Sequence, residues 1–204
     1  MSYTREYLDK IRPRWAKLMP EDDGTLFLNY PGSRLSPDDQ AFYLDLYDEK
    51  ILLADKAIEE FLSALEETGL SQRTIIVLFA GHGDEYFEHG FIDHGTNLYE
   101  EVIDVPVLIA LPDLTEGRVV TPQARTVDLF PTVFELLGLP HPEVMGVSLL
   151  PLLNGRSMAL VGFSETQYRL FTHKSALVTP DHRYKLIYTH ETGGRELYDL
   201  ADDP

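Results

Sequence analysis

The sequence predicts an α/β fold closed by a small antiparallel hairpin, and three observations predict it. Apolar runs of strand length, Thr74–Ala80 and Val105–Leu111, alternate with segments of helical period. The longest of those segments, Pro37 to about Glu67, has a clear start and stop signal. Near the end, Ser175–Val178 and Tyr184–Tyr188 are joined by the turn-rich Thr179-Pro180-Asp181-His182-Arg183. Strands interleaved with helices, then neighbouring strands, is the pattern of a helix-flanked sheet with an antiparallel appendix.

The elements follow in order. Residues 1–35 read as irregular, with a short amphipathic piece around Tyr7, Leu8, Ile11 and Trp15 and a turn at Pro31-Gly32. Ser36-Pro37-Asp38-Asp39 then places a capping serine before a first-turn proline, with acids at the positive end of the helix dipole. Leu44, Tyr47, Ile51, Ala54, Ile58, Phe61 and Leu65 recur on one face, so this helix is expected to face a core, with Tyr43, Tyr47 and Phe61 as packing residues. Gly69 closes it in the left-handed conformation. Thr74–Ala80 reads as a buried strand, Thr96–Glu101 as a short helix and Val105–Leu111 as a strand ended by Pro112. Ala124–Leu137 reads as a helix interrupted early by Pro131 and ended by Gly138. Leu149–Leu153 is a short apolar turn, Met158–Phe163 a strand, and Glu196–Leu200 follows the hairpin. No repeat or linker divides the chain, so residues 1–204 are expected to form one domain with residues 175–204 as the hairpin appendix.

Composition narrows the function classes. At 204 residues and 44% hydrophobic content the chain suffices for one ordinary core. Its 17 basic and 34 acidic residues leave a formal charge of −17, the wrong sign for a nucleic-acid partner and a suitable one for a cation. There is no cysteine, hence no disulfide and no thiol nucleophile. No apolar run approaches the roughly 20 residues of a membrane span, and the stretch after Met1 lacks the apolar core of a signal peptide. At face value the chain reads as soluble.

The chemistry gathers where the first strand ends. After Ala80 come His82, His89 and His94, each followed by glycine, interleaved with Asp84, Glu85, Glu88, Asp93 and Glu100. A lone His-Gly is usually only a turn, but three in succession after a strand, mixed with acids, point to a site. Imidazole and carboxylate both bind divalent cations, and imidazole carries protons near neutral pH. Spacing alone excludes several alternatives: there is no His-Glu-x-x-His, no Walker glycine loop and no Gly-x-Ser-x-Gly elbow.

The ordered motifs resemble the sulfatase family of the alkaline-phosphatase-like superfamily, in its C-terminal portion. YLDLYDEKILLADKAIEEFLSAL is similar to the family's helix before the metal strand. TIIVLFAGHGDEYFEHGFIDHGTNLYEEVIDVPVLIALP resembles its strand, Ser-Asp-His-Gly loop, Glu-His-Gly, lysine- or histidine-Gly and Val-Pro strand. VDLFPTVFELLGLP, MGVSLLPLLNG and YKLIY with ELYDLADDP follow in the family's order. The resemblance implies an alkaline-phosphatase-like sheet flanked by helices, and hydrolysis of sulfate esters by a formylglycine beside a divalent cation, usually calcium. It places His82 on a metal-ligand position and His94 on the position that contacts the sulfate or leaving oxygen. Asp128 and Glu100 fall on positions expected to be structural, by helix capping and loop anchoring.

Two departures qualify that implication. Gly81 stands where the family has a metal-binding aspartate, with Asp84 as the carboxylate that could substitute for it. The Cys/Ser-x-Pro-x-Arg motif that yields formylglycine is absent from these residues, as is the family's N-terminal Asp-Asp pair. The expectation is therefore a sulfuric ester hydrolase portion that is inactive alone and completed by an N-terminal half. The alternatives are a non-catalytic relative that binds a partner or an anionic ligand, a phosphate or phosphonate ester hydrolase relative, or a fragment that self-associates through exposed apolar surface.

Overall fold

Helix α1 (Pro37–Glu67) starts and stops where the sequence predicts. In the computed structural model the backbone N–H of Asp39 donates to Ser36 Oγ at 3.2 Å, and the Ser36 hydroxyl returns to Asp39 Oδ2 at 2.6 Å. Gly69, at φ 69°, turns the chain back so that Leu70 N–H reaches Leu65 O at 2.9 Å. The structure describes residues 36–202 apart from 91, 113, 115 and 169–171. The irregular stretch expected over 1–35 and the last two residues of the chain lie outside the described residues.

The expected core-facing stripe of α1 is corrected. Among the described residues of the helix only Leu46 is buried, while Leu44, Ile51 and Phe61 are exposed. The contact that does form is aromatic and lies near its N-terminal end, where Tyr43 and Tyr47 pack against Tyr86 with ring centroids 5.6 and 4.7 Å away. Helical period reports which residues share a face, and says nothing about whether that face is covered.

Strand β1 (Ile76–Phe79) pairs antiparallel with β4 (Val107–Ala110), with Ile76 opposite Ala110 and Phe79 opposite Val107. Between them lie the two-residue strands β2 (Glu85–Tyr86) and β3 (Ile92–Asp93), paired as a small ribbon, and helix α2 (Glu100–Ile103). The short helix expected over Thr96–Glu101 is thus displaced toward the C-terminus. The first strand is also not buried along its length: Leu78 and Phe79 are exposed, because a two-stranded ribbon covers little of its own apolar surface.

Helix α3 (Leu129–Leu136) follows a 3-10 turn over Thr126–Asp128, so Pro131 stands in the first turn, where its missing N–H costs nothing, rather than interrupting a helix from Ala124. Helix α4 (Leu150–Leu153) completes this half. Leu129, Leu149, Leu152 and Leu160 form one core cluster, joined by Val77 and Met158. Met158–Phe163 was expected as a strand. Met158 and Leu160 instead feed this cluster, and the strand begins four residues later, at Gly162, where alternation sets in.

The hairpin is the centre of a four-stranded antiparallel sheet, β5 (Gly162–Tyr168), β6 (Thr172–Val178), β7 (Tyr184–Thr189) and β8 (Gly194–Asp199), in that order. Its inner face packs Ala176 and Ile187 against Leu98, with Tyr99 and Tyr198 at the margin. Buried Lys185 reaches from β7 to Glu100 Oε1 at 2.7 Å, and burial holds its ammonium pKa below the ordinary value. Tyr99 and Tyr198 hydroxyls both donate to Glu196 Oε2 at 2.9 Å, and Thr166 Oγ1 donates to Gly95 O at 2.6 Å. These contacts fix the histidine loop on the sheet.

Candidate functional site

The site is assembled by the loop that leaves β1. Gly83 lets this loop lie directly on α2: its N–H donates to Val102 O at 2.8 Å, and a Cβ there would fall 2.0 Å from Glu101 O. With Gly83 seated, His82 Nδ1 stands 2.9 Å from Gly83 O. A carbonyl only accepts, so this ring nitrogen carries the proton.

Twelve residues on, His94 returns to the same place. Its ring stacks on His82 with centroids 3.7 Å apart and planes at 27°. His94 Nδ1 lies 2.6 Å from Asp84 Oδ1 and 2.7 Å from Asp93 Oδ1, and Asp93 Oδ1 also accepts the His94 backbone N–H at 3.0 Å. Asp93 holds a left-handed φ of 81°, which aspartate tolerates better than most residues and which directs its carboxylate back onto the next residue. His82 Nδ1 is 4.0 Å from Asp84 Oδ1. Ligand atoms of His82, Asp84 and His94 therefore lie within 4.8 Å of one another.

The third histidine goes elsewhere. His89 Nδ1 donates to Glu101 Oε1 at 2.7 Å, and its ring stacks on Tyr99 at 3.6 Å. Glu85, fully buried, accepts the His89 backbone N–H at 2.9 Å and the Asn97 amide. This group braces the loop from below. Glu88 accepts the Tyr86 N–H within the same turn. Of the residues singled out by sequence, the structure brings together His82, His94, Asp84 and Asp93, and separates His89, Glu85 and Glu88 from them.

Sequence reasoning missed Tyr43. Burial, with the negative charges of Asp93 and Asp84 nearby, pushes its phenol up to about 12, so it stays a protonated donor beside the two site carboxylates. The same forces raise Tyr86, burial first and Asp84 next. The available signal was a pair of tyrosines one helical turn apart, Tyr43 and Tyr47, at the start of α1. Glu100 anchors the loop through Lys185, and His182 Nε2 lies 3.3 Å from its other oxygen. Asp128 sits at the helix-capping position but caps nothing through its side chain. It instead takes two hydrogen bonds from Arg125, at 2.7 and 2.8 Å, and one from Val147 N–H at 2.8 Å, and its carboxylate raises the Arg125 pKa.

These residues alone do not make up a site for calcium, which the resemblance implies. Calcium takes six to eight oxygens. Here Gly81 supplies no side-chain oxygen, and two of the three converging side chains offer nitrogen.

Comparison with known proteins places the chain. Residues 21–139 match the family model described as "Sulfatase", and residues 87–204 match "N-sulphoglucosamine sulphohydrolase, C-terminal". A Delta 4,5-hexuronate-2-O-sulfatase from Bacteroides thetaiotaomicron is 29% identical over 171 residues, covering 79% of this chain and 35% of that protein. The solved structure of a 2-O GAG sulfatase superposes with a TM-score of 0.71 at 28% identity, over 83% of this chain and 38% of the other. A phosphonate monoester hydrolase from Silicibacter pomeroyi gives 0.62 at 25% identity, over 72% and 32%. The chain spans about a third of the length of these relatives. Among its described residues no helix is long and apolar enough to cross a membrane.

Proposed function

The chain belongs to the sulfatase family, and from that membership we propose that it is the portion of a sulfuric ester hydrolase that carries the histidine loop and the C-terminal antiparallel sheet. One observation supports this reading above the others: His82 and His94, which the family's motif order assigns to the ion and the ester oxygen, stack 3.7 Å apart over one carboxylate. With a divalent cation bound beside it, such a cluster would help to polarise a sulfuryl group and offset charge on its oxygens. The attacking group is not supplied by these 204 residues, which contain no cysteine and no Ser-x-Pro-x-Arg. Loss of a nucleophile removes many orders of magnitude of rate.

The chain alone is therefore expected to leave an aryl sulfate ester intact in the presence of divalent cations, with hydrolysis no faster than a heat-treated control. Turnover well above that control would overturn the reading. A Cys/Ser-x-Pro-x-Arg motif encoded in frame ahead of Met1 favours a sulfate ester over the phosphonate esters of the more distant relative. Gly81 supports a second reading, a relative that binds an anionic ligand without turning it over. Weak binding of inorganic sulfate, unaltered by any divalent ion, would favour that alternative.

A further inference from the structure

His94 sits between a short ribbon and a glycine, and neither holds its imidazole by itself. The ribbon ends at Asp93, after two cross-strand pairs. Gly95 follows at φ 92°, and glycine populates either sign of φ readily, so left to itself it would be a swivel directly behind His94. We propose that Thr166 is a positioning residue for His94, acting through Gly95, and that the C-terminal sheet thereby sets where this ring stands. Its bearing on the reaction rests on the reading of His94 as the residue at the ester oxygen.

The Thr166 hydroxyl donates to Gly95 O at 2.6 Å, across seventy-one positions of the chain. That carbonyl lies in the planar peptide unit after Gly95, so holding it fixes the glycine's ψ. Tyr168 projects from the same face of β5 and covers the α-carbon. Its Cδ2 stands 3.1 Å from where a Gly95 Cβ would be. Thr166 itself has little play, because branching at Cβ restricts its χ1. It lies inside β5 opposite Lys174, in an unbroken run of pairs from Gly162 and Val178 to Tyr168 and Thr172. A side chain on a paired strand is a firmer support than one on a loop.

What the joint controls is narrow. His94 Nδ1 faces Asp84 Oδ1 at 2.6 Å and Asp93 Oδ1 at 2.7 Å, and the ring centroid lies 3.7 Å from that of His82. A displacement of the ring by ~1 Å would carry either contact out of hydrogen-bonding range. It would also open the stack. The other contacts between loop and sheet meet the chain farther on, Tyr99 at Glu196 and Glu100 at Lys185. They hold the start of α2 and not the joint between His94 and Gly95.

The test is a carbon–proton NMR spectrum of the histidine rings in the full 204-residue chain at one pH. Ring-current shifts report the stack of His82 on His94 directly. Thr166→Val keeps the branched shape and loses the hydroxyl, and should move both signals toward those of unstacked rings. Thr166→Ser restores the donor and should return them to the parental positions. Tyr99→Phe removes a different hydrogen bond between loop and sheet, 2.9 Å long, and should leave both signals in place. His173 and His190, stacked at 3.8 Å on the outer sheet face, should stay unshifted in every variant and so report an intact sheet. Unmoved His82 and His94 signals in Thr166→Val would overturn the proposal. So would failure of serine to rescue, an equal shift in Tyr99→Phe, or His173 and His190 moving along with the other pair. No arm measures hydrolysis, so failure of the sulfate-ester reading would appear in turnover and not in these spectra.

Discussion

Gly81 and Gly83 flank the same histidine, and substituting alanine at each should give opposite results. At Gly83 the added Cβ would lie 2.0 Å from Glu101 O and 3.1 Å from the Glu101 carbonyl carbon, both backbone atoms that cannot rotate away. Relief requires the loop to lift from α2 by more than ~1 Å, which breaks the 2.8 Å hydrogen bond from Gly83 N–H to Val102 O. A lost buried hydrogen bond costs about 1 kcal/mol and an overpacked contact a further 1–3 kcal/mol, so Gly83→Ala should destabilise by roughly 2–4 kcal/mol. At Gly81 a Cβ meets nothing within 4 Å and φ is outside the left-handed region. Gly81→Ala should then be neutral or stabilising by up to about 1 kcal/mol, through the unfolded chain. Urea unfolding followed by far-ultraviolet circular dichroism measures both as shifts in midpoint at constant slope. If the two variants unfold within about 0.5 kcal/mol of each other, the close approach of loop and helix is wrong, and with it the seating of His82.

Two further predictions concern the C-terminal sheet. Lys185→Met keeps the buried stem but removes the ammonium from Glu100, which is 23% exposed and retains His182 at 3.3 Å. A fully buried pair broken this way costs about 3–5 kcal/mol, so the partial hydration of Glu100 puts this one near 2–3 kcal/mol. Adding Glu100→Gln should recover most of the loss, and a coupling energy below about 0.5 kcal/mol in the double-mutant cycle would refute the anchor. On the outer face, Phe163, Leu177, Leu186 and Leu197 stand in register across all four strands and are 63%, 44%, 39% and 71% exposed. Such a row favours self-association of the isolated chain. Sedimentation should show concentration-dependent oligomers that Phe163→Lys with Leu197→Lys dissolves, and a parent chain that stays monomeric at every concentration would sink the expectation.

What the sequence made legible was local. Ser36, Pro37 and Gly69 fix the limits of α1 because capping and left-handed φ are decided by neighbouring residues. The turn at Thr179–Arg183 fixes the register of β6 against β7 for the same reason. What it concealed was non-local. Leu44, Ile51 and Phe61 have the period of a core face and are exposed, since the period does not reveal whether a second surface arrives. Glu196–Leu200 carried too little alternation to be named a strand, yet Glu196 is held by Tyr99, ninety-seven positions earlier in the chain. Lys185 would be placed at the surface on composition alone, and is buried because Glu100 waits for it.

The candidate site shows the same division, and there it bears on chemistry. Three His-Gly pairs look alike as letters, but His82 and His94 converge while His89 turns under the loop to Glu101, a choice made by the β2–β3 pairing of Glu85 with Asp93 and Tyr86 with Ile92. That pairing folds the loop back on itself and carries His94 over Asp84. The glycine at 81 follows a different logic from the one at 83. Packing requires Gly83, whereas nothing in the surroundings requires Gly81, because a side chain there would enter open space. The fold of these residues therefore does not by itself select glycine at 81. What the loop does hold in place are two stacked imidazoles, His82 with its Nδ1 on Gly83 O and His94 with its Nδ1 on Asp84 and Asp93.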